Sequence, residues 1–391
     1  IVKNAREPEW EAIFEPTSYG FRPGRSTHDA IYSVWVAYSS RDKVQKDWVL
    51  DADIKGAFDN INHDYLIQKL GHFPARTLVK KWLKAGVMKG LDFSPTETGT
   101  PQGGIISPLL ANIALHGMEE ALDVKRDRRG SVTGPYKLIR YADDFIVQCR
   151  TKEDAERAKS ILEDWLSQAG LEMSKEKTQI VNIWQGVDFL GFTIRKIKTN
   201  RNKRKFSVHT KPSQESIDKF KTKVRDIFKK GLHRSPARLI YELNPLIVGW
   251  AMYFRIGVSR KTFEALDSFI WRRTWRYAKR RHRGKGARWL IEKYYKSHNN
   301  FKWTFYDKET DINLRRLGTI GIERHIQVKG NASPDDPNLT EYWDTRRQRP
   351  KGPTKLHNRL WARQKGKCTH CEQWLDRNEE LNIHHVNGDR K

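Results

Sequence analysis

The sequence predicts an α+β fold: a mixed or antiparallel sheet with helices, followed by a helical and strongly basic part. Two observations lead to this prediction. Over residues 1–211, strand-like alternation of apolar and polar side chains recurs between helix-like segments. From about residue 212 the apolar periodicity becomes helical and basic side chains dominate. The glycine-rich motif of dinucleotide-binding parallel sheets is absent from the sequence.

The charge balance indicates a polyanionic partner. The chain has 391 residues, with 74 Lys and Arg against 47 Asp and Glu, for a net charge of +27. A field of this size attracts nucleic acid first and an anionic membrane surface second, and it is unusual for a metabolic enzyme. No apolar run approaches the roughly 18 residues that span a bilayer, and no signal peptide is recognisable. The length suits two or three domains.

The cysteine count and the chain ends also carry information. Three cysteines, Cys149, Cys368 and Cys371, do not make a disulfide framework, which favours a reducing compartment. The chain starts at Ile1 rather than Met and stops shortly after His384. We therefore expect that both ends of a longer protein are missing.

Two adjacent carboxylates mark the segment that organises the chain. The apolar runs 138–139 and 145–147 flank a short turn that carries Asp143 and Asp144, a pattern typical of a β-hairpin. Adjacent carboxylates repel each other unless a cation neutralises them. Hard divalent cations such as Mg²⁺ take oxygen ligands, so the hairpin is either a metal site or an ordinary Asp-rich turn.

A second carboxylate strand precedes this hairpin. Residues 47–54 alternate, which places Asp51 and Asp53 on one face and Leu50, Ala52 and Ile54 on the other. Asp53, at the end of a buried strand, could complete a metal site with the hairpin. For Asp51 the simpler interpretation is a paired or exposed side chain.

Two loops rich in Gly and Pro lie nearby in sequence. Residues 16–30 lead into a helix at about 27–40, and Arg22 there could either grip a triphosphate or be a solvated surface arginine. Residues 99–106 carry Gln102 and open a helix near Ser107.

The remaining elements are predicted from periodicity. We expect helices over 64–90, 152–169, 244–254 and 263–283, and strands over 171–183 and 187–194. The last helix interleaves basic side chains with aromatics and is almost free of acids, which favours phosphate neutralisation and base stacking over a merely solvated face. Its candidate RNA-binding residues are Arg272, Arg273, Arg276, Lys279, Arg280 and Arg281.

The C-terminal segments are less regular. Residues 306–360 suggest a loosely structured basic linker. Cys368 and Cys371, in a Cys-x-x-Cys pattern, suit a structural Zn²⁺ site, but four ligands are needed and a second cysteine pair is absent. His384 and His385 follow, so residues 361–391 resemble part of a metal-binding nuclease module.

Taken together, these segments resemble a group II intron-encoded reverse transcriptase, also called a maturase, over nearly the whole chain. The motifs that carry the resemblance are Tyr-Gly-Phe-Arg-Pro-Gly-Arg-Ser (19–26), Asp-Ile-Lys-Gly-Ala-Phe-Asp (53–59), Thr-Pro-Gln-Gly-Gly-Ile-Ile-Ser-Pro-Leu-Leu-Ala-Asn (100–112), Tyr-Ala-Asp-Asp (141–144), Ser-Lys-Glu-Lys-Thr (174–178) and Phe-Leu-Gly-Phe (189–192).

The resemblance implies a right-hand polymerase followed by an α-helical thumb. Residues 1–211 would be fingers and palm, 212–305 the thumb or maturase domain, 306–360 a DNA-binding region and 361–391 a partial HNH endonuclease. The family's N-terminal extension and first fingers motif are absent, and the nuclease lacks its second cysteine pair.

The resemblance also implies roles for single residues. Asp53, Asp143 and Asp144 would bind two Mg²⁺ ions in the two-metal scheme. In the nucleotide site, Phe58 would be an aromatic gate against a ribose 2′-hydroxyl. Three further residues would line or neighbour that site: Arg22 on the triphosphate, Gln102 in the pocket and Lys177 beside it. In the nuclease remnant, His384 would be a metal ligand and His385 the base.

The implied function is to bind a group II intron RNA, assist its splicing and copy it into DNA at a target site (retrohoming). The implied partners are the intron RNA, target DNA with its primer strand, and deoxynucleoside triphosphates. The implied location is the cytoplasm or nucleoid of a bacterium, or an organelle. Two alternatives remain open: a splicing maturase whose polymerase is idle, and a domesticated or defence-associated reverse transcriptase.

Overall fold

A computed structural model describes most of the chain. The described residues are 1–39, 45–89, 92–94, 97–100, 103–128, 130–199, 206–231, 233–298, 300–347, 355–369 and 375. The chain forms two compact units, one of Ile1–His209 with His325–Thr340, the other of Thr210–Arg324 with Glu341–Lys391. Within the described ranges, no helix is long and apolar enough to cross a membrane.

The first unit combines helices with antiparallel strands, as the sequence predicts. Its helices are α1 (Val2–Ile13), α2 (Thr27–Ser39), α3 (Ala57–Asn60), α4 (His63–Leu70), α5 (Arg76–Lys84), α6 (Ser107–Ala114), α7 (Met118–Ala121) and α8 (Lys152–Gln168). Its strands are β1 (Trp48–Asp53), β2 (Val87–Lys89), β3 (Asp92–Ser94), β4 (Lys125–Arg126), β5 (Val132–Thr133), β6 (Lys137–Tyr141), β7 (Asp144–Cys149), β8 (Gln179–Asn182), β9 (Val187–Phe189), β10 (Phe192–Lys198) and β11 (Phe206–Pro212), whose last residues enter the second unit.

The central sheet has the strand order β6-β7-β1-β8, and its neighbouring strands pair antiparallel. Alternation decides its two faces. Leu50 and Ala52 of β1 are buried in the main core, so Asp51 and Asp53 leave the strand on the opposite face. The same alternation in β7 places Asp144 on the face of Asp53.

Helix α8 packs on this sheet and fixes its core side. Thr151 caps the helix through a capping box with Asp154, which satisfies otherwise unpaired backbone N–H groups. Four apolar side chains at helical spacing are fully buried: Ala155, Ala158, Leu162 and Leu166. The helix stops before Gly170, whose φ of +73° suits glycine. The prediction of a helix over 152–169 is confirmed.

The second unit is mainly helical. Its elements are α9 (Gln214–Lys230), α10 (Pro236–Phe254), α11 (Arg260–Arg281), α12 (Ala287–Tyr294), β12 (Tyr295–His298), β13 (Phe301–Phe305), most of α13 (Thr340–Arg347) and α14 (Lys355–Arg363). Ser213 and Ser235 cap α9 and α10 through their side chains. Helix α11 packs against both α9 and α12.

Two predicted elements are wrong in extent because local breaks interrupt them. The predicted helix 64–90 is divided into α4, α5 and the strand β2. Gly71, with a φ of +67°, ends α4, and Pro74 disfavours a helical conformation in the residue before it. The predicted strand 187–194 is a β9–β10 hairpin, because Leu190 and Gly191 both adopt positive φ.

Two other segments also differ from expectation. Within 171–183 only Gln179–Asn182 is a strand. Residues 325–340 are ordered parts of the first unit rather than a loose linker. There, the Asp29 carboxylate accepts bonds from the His325 ring and the Val328 N–H. These contacts join positions about 300 residues apart in sequence, so local composition does not reveal them.

Candidate functional site

The register of the sheet brings two of the predicted carboxylates together. Asp53 at the end of β1 lies directly opposite Asp144 at the start of β7. Asp143 lies in the preceding turn, where its carbonyl accepts a hydrogen bond from the Ile54 N–H. The ammonium of Lys177 lies 2.8 Å from Oδ2 of Asp53. The structure thus gathers Asp53, Asp143, Asp144 and Lys177 at one edge of the central sheet.

The carboxylates of this cluster repel each other. Burial, a hydrogen bond shared with Asp53 and repulsion from Asp143 and Asp53 raise the pKa of Asp144 to about 7. Burial followed by repulsion from Asp53 also raises the pKa of Asp143. The hydrogen bond and the charge of Asp53 raise the pKa of Lys177. One exposed ammonium therefore offsets three acidic groups only in part, and the cluster favours an additional cation.

The donor set fits hard divalent cations. Carboxylate oxygens are the ligands that Mg²⁺ prefers, and a bound divalent cation would offset the repulsion between Asp144 and its two neighbouring carboxylates. In the described part of the chain, no three His, Cys, Asp or Glu side chains already converge as a cation cage. The fit therefore rests on the facing pair Asp53 and Asp144, with Asp143 adjacent.

A buried arginine supports the turn that carries Asp143. Ala142, the residue before it, has a φ of +57°, which is unfavourable for a residue with a Cβ. Nη1 of Arg140 donates to the Ala142 carbonyl and to Oδ1 of Asn112, each at 3.1 Å. Arg140 is only 1% exposed. Burial lowers the pKa of its guanidinium to about 10, with Glu15 acting in the opposite direction, so it stays charged at neutral pH.

A strand-like segment lies against the same turn. Ser18 and Arg140 form a parallel bridge, and the Tyr19 N–H donates to the Arg140 carbonyl. A Cβ on Gly20 would lie 2.3 Å from the Ala142 nitrogen, so no other residue fits there without a shift. The Asn112 amide donates to the Gly20 carbonyl at 2.8 Å. Neither Arg140 nor Asn112 nor Gly20 was a candidate in the sequence analysis.

Arg22 does not lie where a triphosphate could reach it. Its Nε and Nη2 donate to the Glu11 carboxylate at 2.9 and 2.8 Å, and Nη1 donates to the carbonyls of Glu15 and Ser18. The side chain is fully buried. Because its charge is neutralised and its donors are occupied, the geometry does not fit the predicted triphosphate contact.

The predicted gate residue follows Asp53 closely in sequence. Phe58 is half-buried in α3, which begins four residues after Asp53. Its ring meets the ring of Phe21 edge-to-face, with centroids 5.8 Å apart and planes at 80°. Gln102, the other predicted pocket residue, lies outside the described residues. Asp51, two residues before Asp53, accepts a hydrogen bond from Gln179, and burial raises its pKa to about 6.

In the second unit, α11 presents a basic surface. Its exposed members are Arg272, Arg276, Lys279, Arg280 and Arg281, and Arg273 is half-buried. Within the described residues, none of these six side chains forms an ion pair with an acid. Burial and three neighbouring arginines (Arg276, Arg225 and Arg280) lower the pKa of Arg273. Like charges held this close favour an anionic partner.

A groove between α9 and α11 extends this surface. It has a volume of about 430 Å³ and an apolar floor that includes Phe269. The cations among its lining residues are Lys221, Arg225, Lys261 and Arg272, and no acid is among the described residues that line it. The guanidiniums of Arg225 and Arg273 lie 5.5 and 5.3 Å from the centroid of the Phe269 ring. An apolar floor with a cationic rim can accept a base and its phosphate together.

Two family matches cover both units. Residues 1–194 match the family "Reverse transcriptase (RNA-dependent DNA polymerase)". Residues 217–295 match "Group II intron, maturase-specific domain". The chain belongs to the group II intron-encoded reverse transcriptase and maturase family. Reverse transcriptases use divalent metal ions, in agreement with the carboxylate donors of the first unit.

Curated relatives agree with this family assignment. The chain is 31% identical to "Group II intron-encoded protein LtrA" of Lactococcus lactis subsp. cremoris, and the match covers 56% of this chain and 45% of that protein. It is 30% identical to "Protein YkfC" of Escherichia coli, and that match covers 48% of this chain and 57% of that protein. The chain thus spans about half the length of these curated relatives.

Among solved structures, telomerase from Candida albicans in complex with a telomeric RNA fragment is similar, with a TM-score of 0.42 and 12% identity. The similarity covers 71% of this chain and 49% of that one.

The structure describes only part of the C-terminal segment 361–391, for which the sequence predicts a partial nuclease module. Cys368 follows α14 and is half-buried. Cys371, His384 and His385 lie outside the described residues, so the predicted Zn²⁺ site and nuclease remnant have no structural description.

Proposed function

We propose that the chain is an RNA-directed DNA polymerase that binds a group II intron RNA, assists its splicing and copies it into DNA at a target site. The observation that carries this proposal is the juxtaposition of Asp53 and Asp144 across β1 and β7, beside Asp143 and Lys177. Two Mg²⁺ ions held by the three carboxylates would activate the primer 3′-hydroxyl and neutralise the pyrophosphate leaving group.

The side chains around this centre have separate roles. Asp53, Asp143 and Asp144 supply the oxygen ligands. Lys177 holds the Asp53 carboxylate through its 2.8 Å contact and places a cation beside an incoming triphosphate. The Phe58 ring occupies the space that a ribose 2′-hydroxyl would need. The first unit would supply fingers and palm, and the helices of the second unit would form the thumb.

The second unit would hold the RNA. Exposed basic side chains on α11 neutralise phosphates, and the groove with Phe269 on its floor stacks a base. Lys221, Arg225 and Lys261 therefore join the six basic residues that the sequence analysis named on this helix. Because the two surfaces are built from different residues, RNA binding and copying should be separable by mutation.

Primer extension on an RNA template tests the polymerase proposal. The experiment compares three variants, Asp53→Asn, Asp143→Asn and Asp144→Asn, with the matched control Asp51→Asn, which removes a carboxylate from the same face of β1. Each variant at the centre should lose at least about 10²-fold in rate, because a metal–ligand contact contributes several kcal/mol. The control and the RNA affinity should change little. Equal activity in the centre variants and the control would refute the proposal.

The alternative, a splicing maturase with an idle polymerase, predicts a different result in the same primer-extension assay. Under that alternative, the chain would bind RNA but show no deoxynucleotide incorporation with Mg²⁺ present, and the three centre variants would behave like the parent. The presence of all three carboxylates, with Asp53 and Asp144 in register, favours an active centre.

A further inference from the structure

Phe21 combines two properties that seldom occur together. Its backbone has a φ of +58°, in the left-handed region that a bulky side chain rarely adopts. Its ring is also 50% exposed, so burial of the side chain does not compensate for that conformation. A backbone outlier of this kind persists only where neighbouring contacts impose it, and such outliers concentrate at functional sites.

The residues on both sides of Phe21 are held firmly. Gly20 lies against the Ala142 backbone so closely that a Cβ there would come within 2.3 Å of the Ala142 nitrogen. Arg22 is fixed by its buried bonds to Glu11 and to two backbone carbonyls. The strained residue between them is therefore held in place from both sides, next to the turn that carries Asp143.

The strained conformation directs the Phe21 ring towards Phe58. The two rings meet edge-to-face, with centroids 5.8 Å apart and planes at 80°. This arrangement is favourable for aromatic pairs, because the positive edge of one ring meets the negative face of the other. The Phe58 backbone is held independently, since its carbonyl accepts hydrogen bonds from the N–H and the hydroxyl of Thr100. The Phe58 side chain also packs against the main core, and the ring of Phe21 restricts its orientation further.

We propose that Phe21 is a positioning residue that fixes the ring of Phe58 and thereby sets the discrimination between deoxyribonucleotides and ribonucleotides. This inference rests on the proposed polymerase function and on Phe58 as its gate. A ring that can rotate aside leaves space for a 2′-hydroxyl, whereas a ring held by an edge-to-face neighbour does not. Phe21 acts through Phe58 and does not itself need to touch the nucleotide.

The test measures the ratio of kcat/KM for dNTP to that for the matching rNTP in primer extension. Phe21→Ala removes the ring and keeps the strained backbone, whereas Phe21→Gly removes both. Phe21→Tyr keeps the ring, and Trp82→Ala removes a partly exposed aromatic ring elsewhere in the first unit. Phe58→Ala reports on the gate itself.

We expect Phe21→Ala and Phe21→Gly to lower the dNTP-to-rNTP ratio of kcat/KM by about threefold to tenfold, which corresponds to the interaction free energy of an edge-to-face aromatic pair. Phe21→Tyr should stay within about twofold of the parent, because the ring pair remains, and Trp82→Ala should not change the ratio. Phe58→Ala should lower it further, and adding Phe21→Ala to Phe58→Ala should have no additional effect, because the two act in series. A purely structural role predicts instead that Phe21→Gly, which relieves strain, leaves the ratio unchanged.

Three results would overturn the inference. If the Phe21 variants keep the parental ratio while Phe58→Ala lowers it, the gate proposal stands and Phe21 has no part in it. If Phe58→Ala also keeps the ratio while dNTP incorporation still depends on Asp143, both the gate and the inference fail and the polymerase proposal survives. If the Phe21 variants reduce dNTP and rNTP incorporation equally, Phe21 serves the fold and not discrimination.

Discussion

Replacing Arg140 with Met should disable copying without removing any metal ligand. Nη1 of Arg140 holds the carbonyl of Ala142, next to Asp143, and the side-chain oxygen of Asn112. The Met side chain fills similar space but donates nothing, so two buried acceptors lose their partner. At about 1–3 kcal/mol for each unsatisfied group, the first unit should lose about 2–6 kcal/mol of stability.

The catalytic effect should exceed what lost stability explains. Without the guanidinium, the strained turn at Ala142 is free to relax, and a shift of about 1 Å in a catalytic group can cost about 10²-fold in rate. Arg140→Lys keeps the charge but can reach only one acceptor well, so its copying rate should lie between those of the parent and Arg140→Met. Arg195→Met is the control, because the exposed Arg195 makes its backbone hydrogen bond to Trp184, away from the turn.

The assay compares primer extension rates with thermal unfolding of the same preparations, at a temperature where all variants are folded. The expected order of rates is parent and Arg195→Met, then Arg140→Lys, then Arg140→Met. If Arg140→Met were fully folded and copied at the parental rate, the turn would not depend on this arginine, and the positioning role would be wrong.

Three further predictions concern other parts of the chain. Burial would raise the pKa of Asp29, but bonds from His325 and other donors lower it to about 2. The pKa of Asp29 in the folded state is below the unfolded value of 3.8. Ionised Asp29 should therefore add about 2 kcal/mol to the free energy of unfolding above pH 4, and this contribution should be lost as the pH falls towards 2. In urea unfolding, the free energy of unfolding of Asp29→Asn should be lower than that of the parent by about 2 kcal/mol at pH 7 and by roughly half as much at pH 3. A difference that stays the same at both pH values would contradict this. Gly20→Ala should reduce copying by about 10²-fold, because its Cβ would push on Ala142, whereas Gly249→Ala, with open space around it, should not. Changing Arg272, Arg276 and Arg280 on the exposed face of α11 to Ala should reduce the slope of log RNA affinity against log salt concentration by roughly 2–3 units, because about three phosphate contacts are lost. An unchanged slope would mean that this face is solvated and does not contact RNA.

Periodicity and register determined the parts of the fold that the sequence could predict. Helix α8 and the strand β1 follow from apolar spacing, since each buries mainly one face. The apolar run 145–147 predicts β7, which is buried along nearly its whole length. The position of Asp53 directly opposite Asp144 could not be predicted from local spacing. The sequence predicts Asp53 on one face of its strand and Asp144 in a hairpin turn, but only the pairing of β1 with β7 brings them together.

Long-range contacts account for what the sequence analysis missed. The position of Arg22 on a Gly/Pro loop is compatible with a phosphate contact. In the structure, however, the Arg22 guanidinium is buried and pairs with Glu11 of α1, a helix that the sequence analysis did not predict. Arg140 interrupts an apolar strand, and a charged residue at such a position is a signal that could have been used. Its partners lie 28 and 2 residues away. The packing of residues 325–340 on the first unit has no comparable local sign.

In the proposed function, Asp143 serves copying and the basic surface of α11 serves RNA recognition. The most direct measurement follows splicing and cDNA synthesis in parallel, using the intron RNA from the chain's own gene and the Asp143→Asn variant. We predict that cDNA synthesis falls to background while RNA affinity and splicing rate stay within about twofold of the parent, a difference of less than about 0.5 kcal/mol. If splicing fell together with cDNA synthesis, the separation of the two roles would be wrong.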